Sequence, residues 1–273
     1  KGCGAEVHMK KMVESVQWKE GKVVSAVIKD IETGSTETVV CDYFFSTMPV
    51  KHLVAGMQPA VAENVQEVAK GLIYRDFMTV GLLLNKLHVE EKGGQPLLRQ
   101  GSGGQAKTEV PDNWIYVQDR GVKVGRIQIF NNWSPYMLNN HKKNVWIGLE
   151  YFVDEGDELW MKSDEKMIEQ GISELEQIGF LKKEDVEDAC VLRMKKAYPA
   201  YFGTYDQLDV IRDWSLTIPN LFLIGRNGMH RYNNQDHSML TAMTAVDNIV
   251  AGENNNLNIW EVNAERVYHE EKK

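Results

Sequence analysis

The chain has 273 residues, 43% hydrophobic and 26% charged, close to the average for a globular protein with a sizeable buried core. Its formal net charge of −8 argues against nucleic acid or an anionic membrane as general partners. No apolar run approaches the roughly 18 residues of a membrane span, and the first residues do not read as a signal peptide.

Cys3, Cys41 and Cys190 are far apart and odd in number, which fits reduced thiols in a cytoplasmic protein. The chain opens at Lys1 rather than methionine, and "GAEVHM" resembles a strand already inside a fold, so a fragment is expected. In "HMKKMVESVQWKEGKVVSAVIKD" two runs with alternating Val, Trp and Ile meet at Glu20-Gly21, a hairpin signal. A turn at Thr33-Gly34 leads to "TETVVC". Tyr43 to Thr47 is a short apolar run stopped by Pro49, expected to be a strand buried in a sheet. Val61, Val65, Val68 and Leu72 fall at helical spacing, with Gly71 near the helix end.

From Tyr74 the pattern changes. "RDFMTVGLLLNK", "WIYVQD", "GRIQIFNNW" and "NVWIGLEYF" are strand-like and separated by polar or glycine-rich turns, which predicts an antiparallel sheet. Lys92 to Asn113 reads as a loop. Ser163 or Asp164 is placed to cap a helix whose stripe is Met167, Ile168, Ile172, Leu175 and Ile178. "CVLRMKKAYPAY" returns to strand character. Leu221 to Ile224 is then a strand, Ser238 to Val250 a helix, and a terminal amphipathic helix carries Trp260, Val267 and Tyr268.

"GSGGQA", Gly101 to Ala106, matches the dinucleotide fingerprint in letters only. No buried strand precedes it and no helix follows, so a loop is expected. "LFLIGRNGMHRYNNQDHSMLTAM", Leu221 to Met243, has the required order of strand, glycine loop and helix. Gly225 ends the strand, where ligands of α/β sheets bind, and amides near Gln235 to Ser238 offer donors to a phosphate or ring carbonyl. Asn234 or Asp236 equally serves as a plain helix cap. Arg226, Arg231 and Tyr232 in the same loop point to a function beyond capping. His230 and His237 have no further Cys/His pair to complete a coordination shell, so hydrogen bonding is expected and no metal. Ser238 lacks a nucleophile-elbow context. Asp154-Glu155 and Asp157-Glu158 read as a solvated turn. Arg126, alternating with Ile127 and Ile129, either pairs with an internal carboxylate or binds an anionic substrate group in bidentate fashion.

Taken together, "NLFLIGRNGMHRYNNQDHSMLTAMTAVDNI" resembles the C-terminal flavin-binding segment of the amine-oxidase-like FAD superfamily, and most of all UDP-galactopyranose mutase and its relatives. "WIYVQD…GRIQIFNNWSPYM" is similar to the mutase segment whose arginine grips the substrate diphosphate. "DYFFSTMP" and "LIYRDFMTVGLLLN" are similar to the strands leaving the FAD domain and entering the substrate domain. The fold the resemblance implies is α/β with α+β character: an incomplete FAD-binding domain plus a substrate domain built on an antiparallel β-sheet with helices. Residues 1–73 and 216–273 would belong to the former and 74–215 to the latter. The superfamily's N-terminal G-x-G-x-x-G strand unit is not in this sequence, so the chain by itself is expected to be largely apo and inactive.

The resemblance assigns FAD as cofactor, held by Gly225, Arg226, Gln235, Asp236, His237 and Ser238. Arg126, Tyr198, Arg226 and Tyr232 would bind the substrate, a small molecule such as a UDP-sugar, rearranged through flavin N5 in polysaccharide synthesis. No side-chain catalyst is assigned. An amine or protoporphyrinogen-type oxidase or a desaturase is the alternative within the superfamily. A non-catalytic module binding an acidic partner is the alternative outside it.

Overall fold

In the computed structural model, residues 4–87, 110–139, 143–253 and 255–263 are described. The "GSGGQA" stretch, most of the 92–113 loop, Cys3, Val267 and Tyr268 lie outside them. In chain order the elements are β1 (Lys11–Lys19), β2 (Lys22–Asp30), β3 (Thr36–Val40), β4 (Phe44–Ser46), α1 (Val50–Gly56), β5 (Met57–Gln58), α2 (Glu63–Gly71) and β6 (Leu72–Leu84). There follow β7 (Trp114–Tyr116), β8 (Arg126–Ile129), α3 (Phe130–Trp133), β9 (Val145–Val153), α4 (Asp164–Gln177) and β10 (Val186–Gly203). The last are α5 (Leu208–Leu216), β11 (Leu221–Leu223), α6 (Gly225–Gly228), α7 (Gln235–Ala251) and α8 (Leu257–Glu261). The mixture of helices with antiparallel and parallel strands gives the α/β character expected of the sequence.

Contacts divide the chain into two compact units, one of residues 1–74 with 198–273 and the other of residues 75–197. The resemblance carries the substrate domain to residue 215, whereas the contact boundary falls at 197/198. The reason lies in α5: its Leu208 and Ile211, with Ile218 just after it, pack in the core of the first unit beside Val65, Val68 and Leu72.

The first unit contains a four-stranded sheet in the order β3-β2-β1-β5. The β1–β2 hairpin turns at Glu20 (φ +52°) and Gly21 (φ +76°), the pair of positive angles that a two-residue turn needs to follow the strands' twist. A second sheet pairs β4 with β11 in parallel, Phe44 opposite Leu221 and Ser46 opposite Leu223. β4 is less buried than its apolar run predicts. Among the described residues its sheet has only two strands, so Phe45 stays 37% exposed and stacks on Phe222 at 4.8 Å.

In the second unit the order is β10-β6-β9-β8-β7, with the β6–β9, β9–β8 and β8–β7 pairs antiparallel. Ser163 caps α4 by accepting from the Lys166 amide. The helix then lays Met167, Ile172 and Leu175 into a core with Val80, Ile127, Ile147 and Leu149. Each such buried side chain contributes on the order of 2 kcal/mol.

Candidate functional site

Leaving β11, the chain is held against β4 when the Ile224 amide donates to Ser46 O at 3.1 Å. Gly225 follows at φ +71°, a left-handed angle that L side chains resist, and its amide donates to Thr241 Oγ1 of α7 at 3.1 Å. The single turn α6 ends on Gly228, where an added Cβ would fall 2.3 Å from Ser46 O. Only glycine lets this loop lie so close to the β4 backbone. The start of α7 is then closed locally. The Asn234 amide donates to His237 Nδ1 at 3.3 Å, and Ser238 Oγ donates to Asn234 O at 2.9 Å. Gly225 and Ser238 are thereby neighbours, since a Cβ on the glycine would sit 3.7 Å from the serine hydroxyl. Gln235 and Asp236 are exposed on the first turn.

Arg226, Tyr198 and Tyr232 come together in the first unit. The guanidinium carbon of Arg226 lies 4.6 Å from the Tyr232 ring centre and 5.0 Å from that of Tyr198. The two rings stack at 5.6 Å, 13° from parallel. Arg226 Nε donates to Asn233 O at 2.8 Å, which fixes the side chain in the loop's own backbone. All three residues are half-buried. Cation–π contact holds the arginine without neutralising it, so the cluster suits an anionic ligand group. Among the described residues no carboxylate forms an ion pair with Arg226 within 4.0 Å.

Several residues around this cluster carry no motif. Tyr201 accepts the Tyr232 amide at 2.7 Å and stacks on Tyr205 at 4.3 Å. Asn263 donates to Tyr232 O at 3.1 Å, and Arg231 donates to Trp260 O, tying residues 257–263 to the loop. His230 is fully buried at φ +49°. Its Nε2–H donates to Ala200 O at 3.1 Å, and its ring meets Tyr74 edge-on at 4.6 Å. Its Nδ1 has no hydrogen-bond partner among the described residues. Burial pushes its pKa down to about 4, so the ring is neutral at physiological pH. The spacing of Tyr198, Tyr201 and Tyr205 was the one available sequence signal for this aromatic wall. Both histidines of the loop serve as hydrogen-bonding groups, and no cluster among the described residues is suited to a metal ion.

Arg126 belongs to the second unit and shows the internal-carboxylate arrangement. Its Nε donates to Glu150 Oε2, and Glu150 has 0% of its side chain exposed. Arg126 Nη1 donates to Tyr116 OH at 3.5 Å, and the guanidinium carbon is 4.8 Å from the Trp114 ring centre. Asp154 and Asp157 form an exposed turn, the Asp154 amide donating to Asp157 Oδ2 at 2.8 Å. Cys41 and Cys190 are both free thiols. No helix among the described residues is long and apolar enough to cross a membrane.

No family model and no curated protein matches the sequence. Among solved structures, the chain is similar to a reduced UDP-galactopyranose mutase, with TM-score 0.69 and 19% identity over 95% of this chain and 50% of that one. It is also similar to a protein of Exiguobacterium sp. 255-15 described as a protoporphyrinogen oxidase, with TM-score 0.55 and 15% identity over 89% of this chain and 47% of that one. The chain therefore spans about half the length of the structures it matches. Identities this low carry the fold and nothing finer: the chain has the fold that these two structures share.

Proposed function

We propose that the chain is part of a flavoenzyme that acts on a nucleotide sugar, in the manner of a UDP-galactopyranose mutase. The observation that carries this reading is the juxtaposition in residues 225–238. A left-handed glycine beside a helix start follows the carboxyl end of a parallel strand, and an arginine packed against two stacked tyrosines adjoins it. The first compact unit, residues 1–74 with 198–273, then belongs to the flavin-binding domain and residues 75–197 to the substrate domain.

The residues fit FAD. Gly225 presents no side chain, and the first turn of α7 offers amides with the positive end of the helix dipole to a ring carbonyl or a ribityl oxygen. Gln235, Asp236, His237 and Ser238 would hold that end, with His237 and Ser238 keeping the turn in shape. When bound, FAD in its reduced form supplies the nucleophilic N5 for the anomeric carbon of the sugar. Arg226 would bind the diphosphate and offset the charge on the departing nucleotide. Tyr198 and Tyr232 would hold the guanidinium in place and offer hydroxyls to the same oxygens. Arg126, its charge already matched by Glu150, is assigned to the sheet rather than to the diphosphate.

An oxidase of the same fold is the second reading, favoured by the likeness to the Exiguobacterium protein and by the aromatic wall of Tyr198, Tyr201 and Tyr205. The test uses the full-length protein, chemically reduced, with UDP-sugars assayed for isomerisation and amines or porphyrinogens for oxygen consumption. Isomerisation that depends on reduction and is lost in Arg226→Met is the expected result. Turnover of amines or porphyrinogens alone would reject the nucleotide-sugar reading.

A further inference from the structure

Arg226 is placed by the backbone of its own loop, and the stretch that places it lies outside any helix or strand, between α6 and α7. Its Nε donates to Asn233 O, so the orientation of the guanidinium over the Tyr198 and Tyr232 rings follows that carbonyl. Two side chains from elsewhere in the first unit hold the peptide groups beside it. Tyr201 OH accepts the Tyr232 amide at 2.7 Å. Asn263 Nδ2 donates to Tyr232 O at 3.1 Å and to Asn233 Oδ1 at 3.0 Å. Both polar groups of the Tyr232 backbone are thus occupied, and Asn233, 1% exposed, is fixed through its side chain as well. Asn263 itself sits at φ +53°, a left-handed angle that asparagine tolerates better than most residues. Just before it, Ile259 and Trp260 are buried in the core of the first unit, and Arg231 donates to Trp260 O. The Asn263 amide therefore reaches Tyr232 and Asn233 from an anchored start.

We infer that Tyr201 and Asn263 are positioning residues for Arg226: they hold the Tyr232–Asn233 backbone so that Asn233 O presents the guanidinium to an anionic group in one orientation. Arginine has many rotamers, and a ligand that must order one loses affinity in doing so; an arginine already fixed spares that loss. The cation–π contacts do not suffice alone, because a ring face attracts the charge without setting which nitrogens point outward. A carbonyl on Nε does set them. With Nε held, the edge that carries the two Nη groups has one direction in which to grip a pair of phosphate oxygens. Neither Tyr201 nor Asn263 needs to touch the ligand, so both act through Arg226. The choice of a diphosphate as the anion rests on the nucleotide-sugar reading. The chain of hydrogen bonds from Asn263 through Asn233 to Arg226 stands without it.

The test uses the full-length protein, inorganic pyrophosphate as the probe, and the variants Asn263→Gly and Tyr201→Phe. Glycine suits the left-handed angle at Asn263 and removes the side chain without straining the backbone, while phenylalanine keeps the ring that stacks on Tyr205. Each variant is expected to raise the pyrophosphate Kd by about tenfold. Arg226→Lys keeps the charge but has no Nε–H for Asn233 O, so in that background the same two changes should leave Kd within about twofold. In NMR spectra of protein isotope-labelled at the arginine nitrogens, the Arg226 Nε–H is assigned by its loss in Arg226→Lys. It is expected to exchange with solvent faster in both variants, while the Gly225 amide, held by Thr241 Oγ1, keeps its protection. Unchanged Nε–H exchange in both variants would overturn the proposal. So would a loss of affinity of the same size in the Arg226→Lys background, or a Gly225 amide that loses protection equally, since the two residues would then only hold the loop folded. Pyrophosphate binding indifferent to Arg226→Lys would reject the diphosphate reading, and the Nε–H exchange would then decide the positioning by itself.

Discussion

Between pH 6.5 and pH 4 the first unit is expected to lose about 3 kcal/mol of folding stability through His230 alone. Unfolded, the ring takes a proton near pH 6.5; folded, burial holds that event down to about pH 4. The native state therefore prefers the neutral ring. Its advantage is complete above pH 6.5, falls as the unfolded chain gains the proton, and stops falling below pH 4, where the folded ring protonates as well. The geometry gives the reason: Nε2–H is spent on Ala200 O, and a proton on Nδ1 would place a charge where no partner among the described residues receives it. His230→Asn tolerates the left-handed backbone and removes the titration. Urea midpoints measured across this range should fall steeply for the native chain and much less for the variant. An equally steep fall in both would remove His230 from the explanation.

Asn220→Ala is expected to cost about 3 kcal/mol, read as a lowered urea midpoint with an unchanged slope. Asn220 sits one residue before β11 and is 7% exposed. Its Oδ1 accepts the Val23 amide at 2.9 Å, and its Nδ2 donates to Val23 O and Asp42 O, each at 2.8 Å. One side chain thus seals β2 and the entry to β4 against the strand that carries the candidate site. Truncation leaves an amide and carbonyls buried without their partner, and each such loss costs about 1–3 kcal/mol. Asn220→Asp tests the geometry further. It retains the acceptor for Val23 but turns the two donated bonds into repulsions between oxygens, so it should recover little of the loss.

What could be read in the sequence follows local physics. The β1–β2 hairpin declares itself through alternation and a Glu-Gly turn, α4 through its stripe and serine cap, and the β11–loop–α7 unit through its glycine. α1 was hidden because Pro49 looks like a strand stop, yet it stands at the helix N-cap, a place where the missing amide costs little. α5 was hidden by its length: nine residues with Leu208 and Ile211 buried give too short a stripe to separate from the strand-like segment before it. At the site, Arg226 and Tyr232 were legible because they share a loop. Tyr198 entered through the family resemblance, and its stacking on Tyr232 depends on where β10 ends. Arg126 was legible as a chemically active residue, but its partner was not. Glu150 lies 24 residues away, and only the β8–β9 register sets the two side chains opposite each other. Asn220 and Val23 stand 197 residues apart, beyond any local pattern.

In the proposed function, residues 225–238 form one wall of a flavin site. Hydrogen exchange in the full-length protein, with and without FAD, tests it most directly. Peptides covering Gly225 to Ser238 are expected to gain protection when FAD binds, while the β1–β2 hairpin at 11–30 does not change. Stoichiometric FAD binding with no change in exchange across residues 225–238 would contradict it.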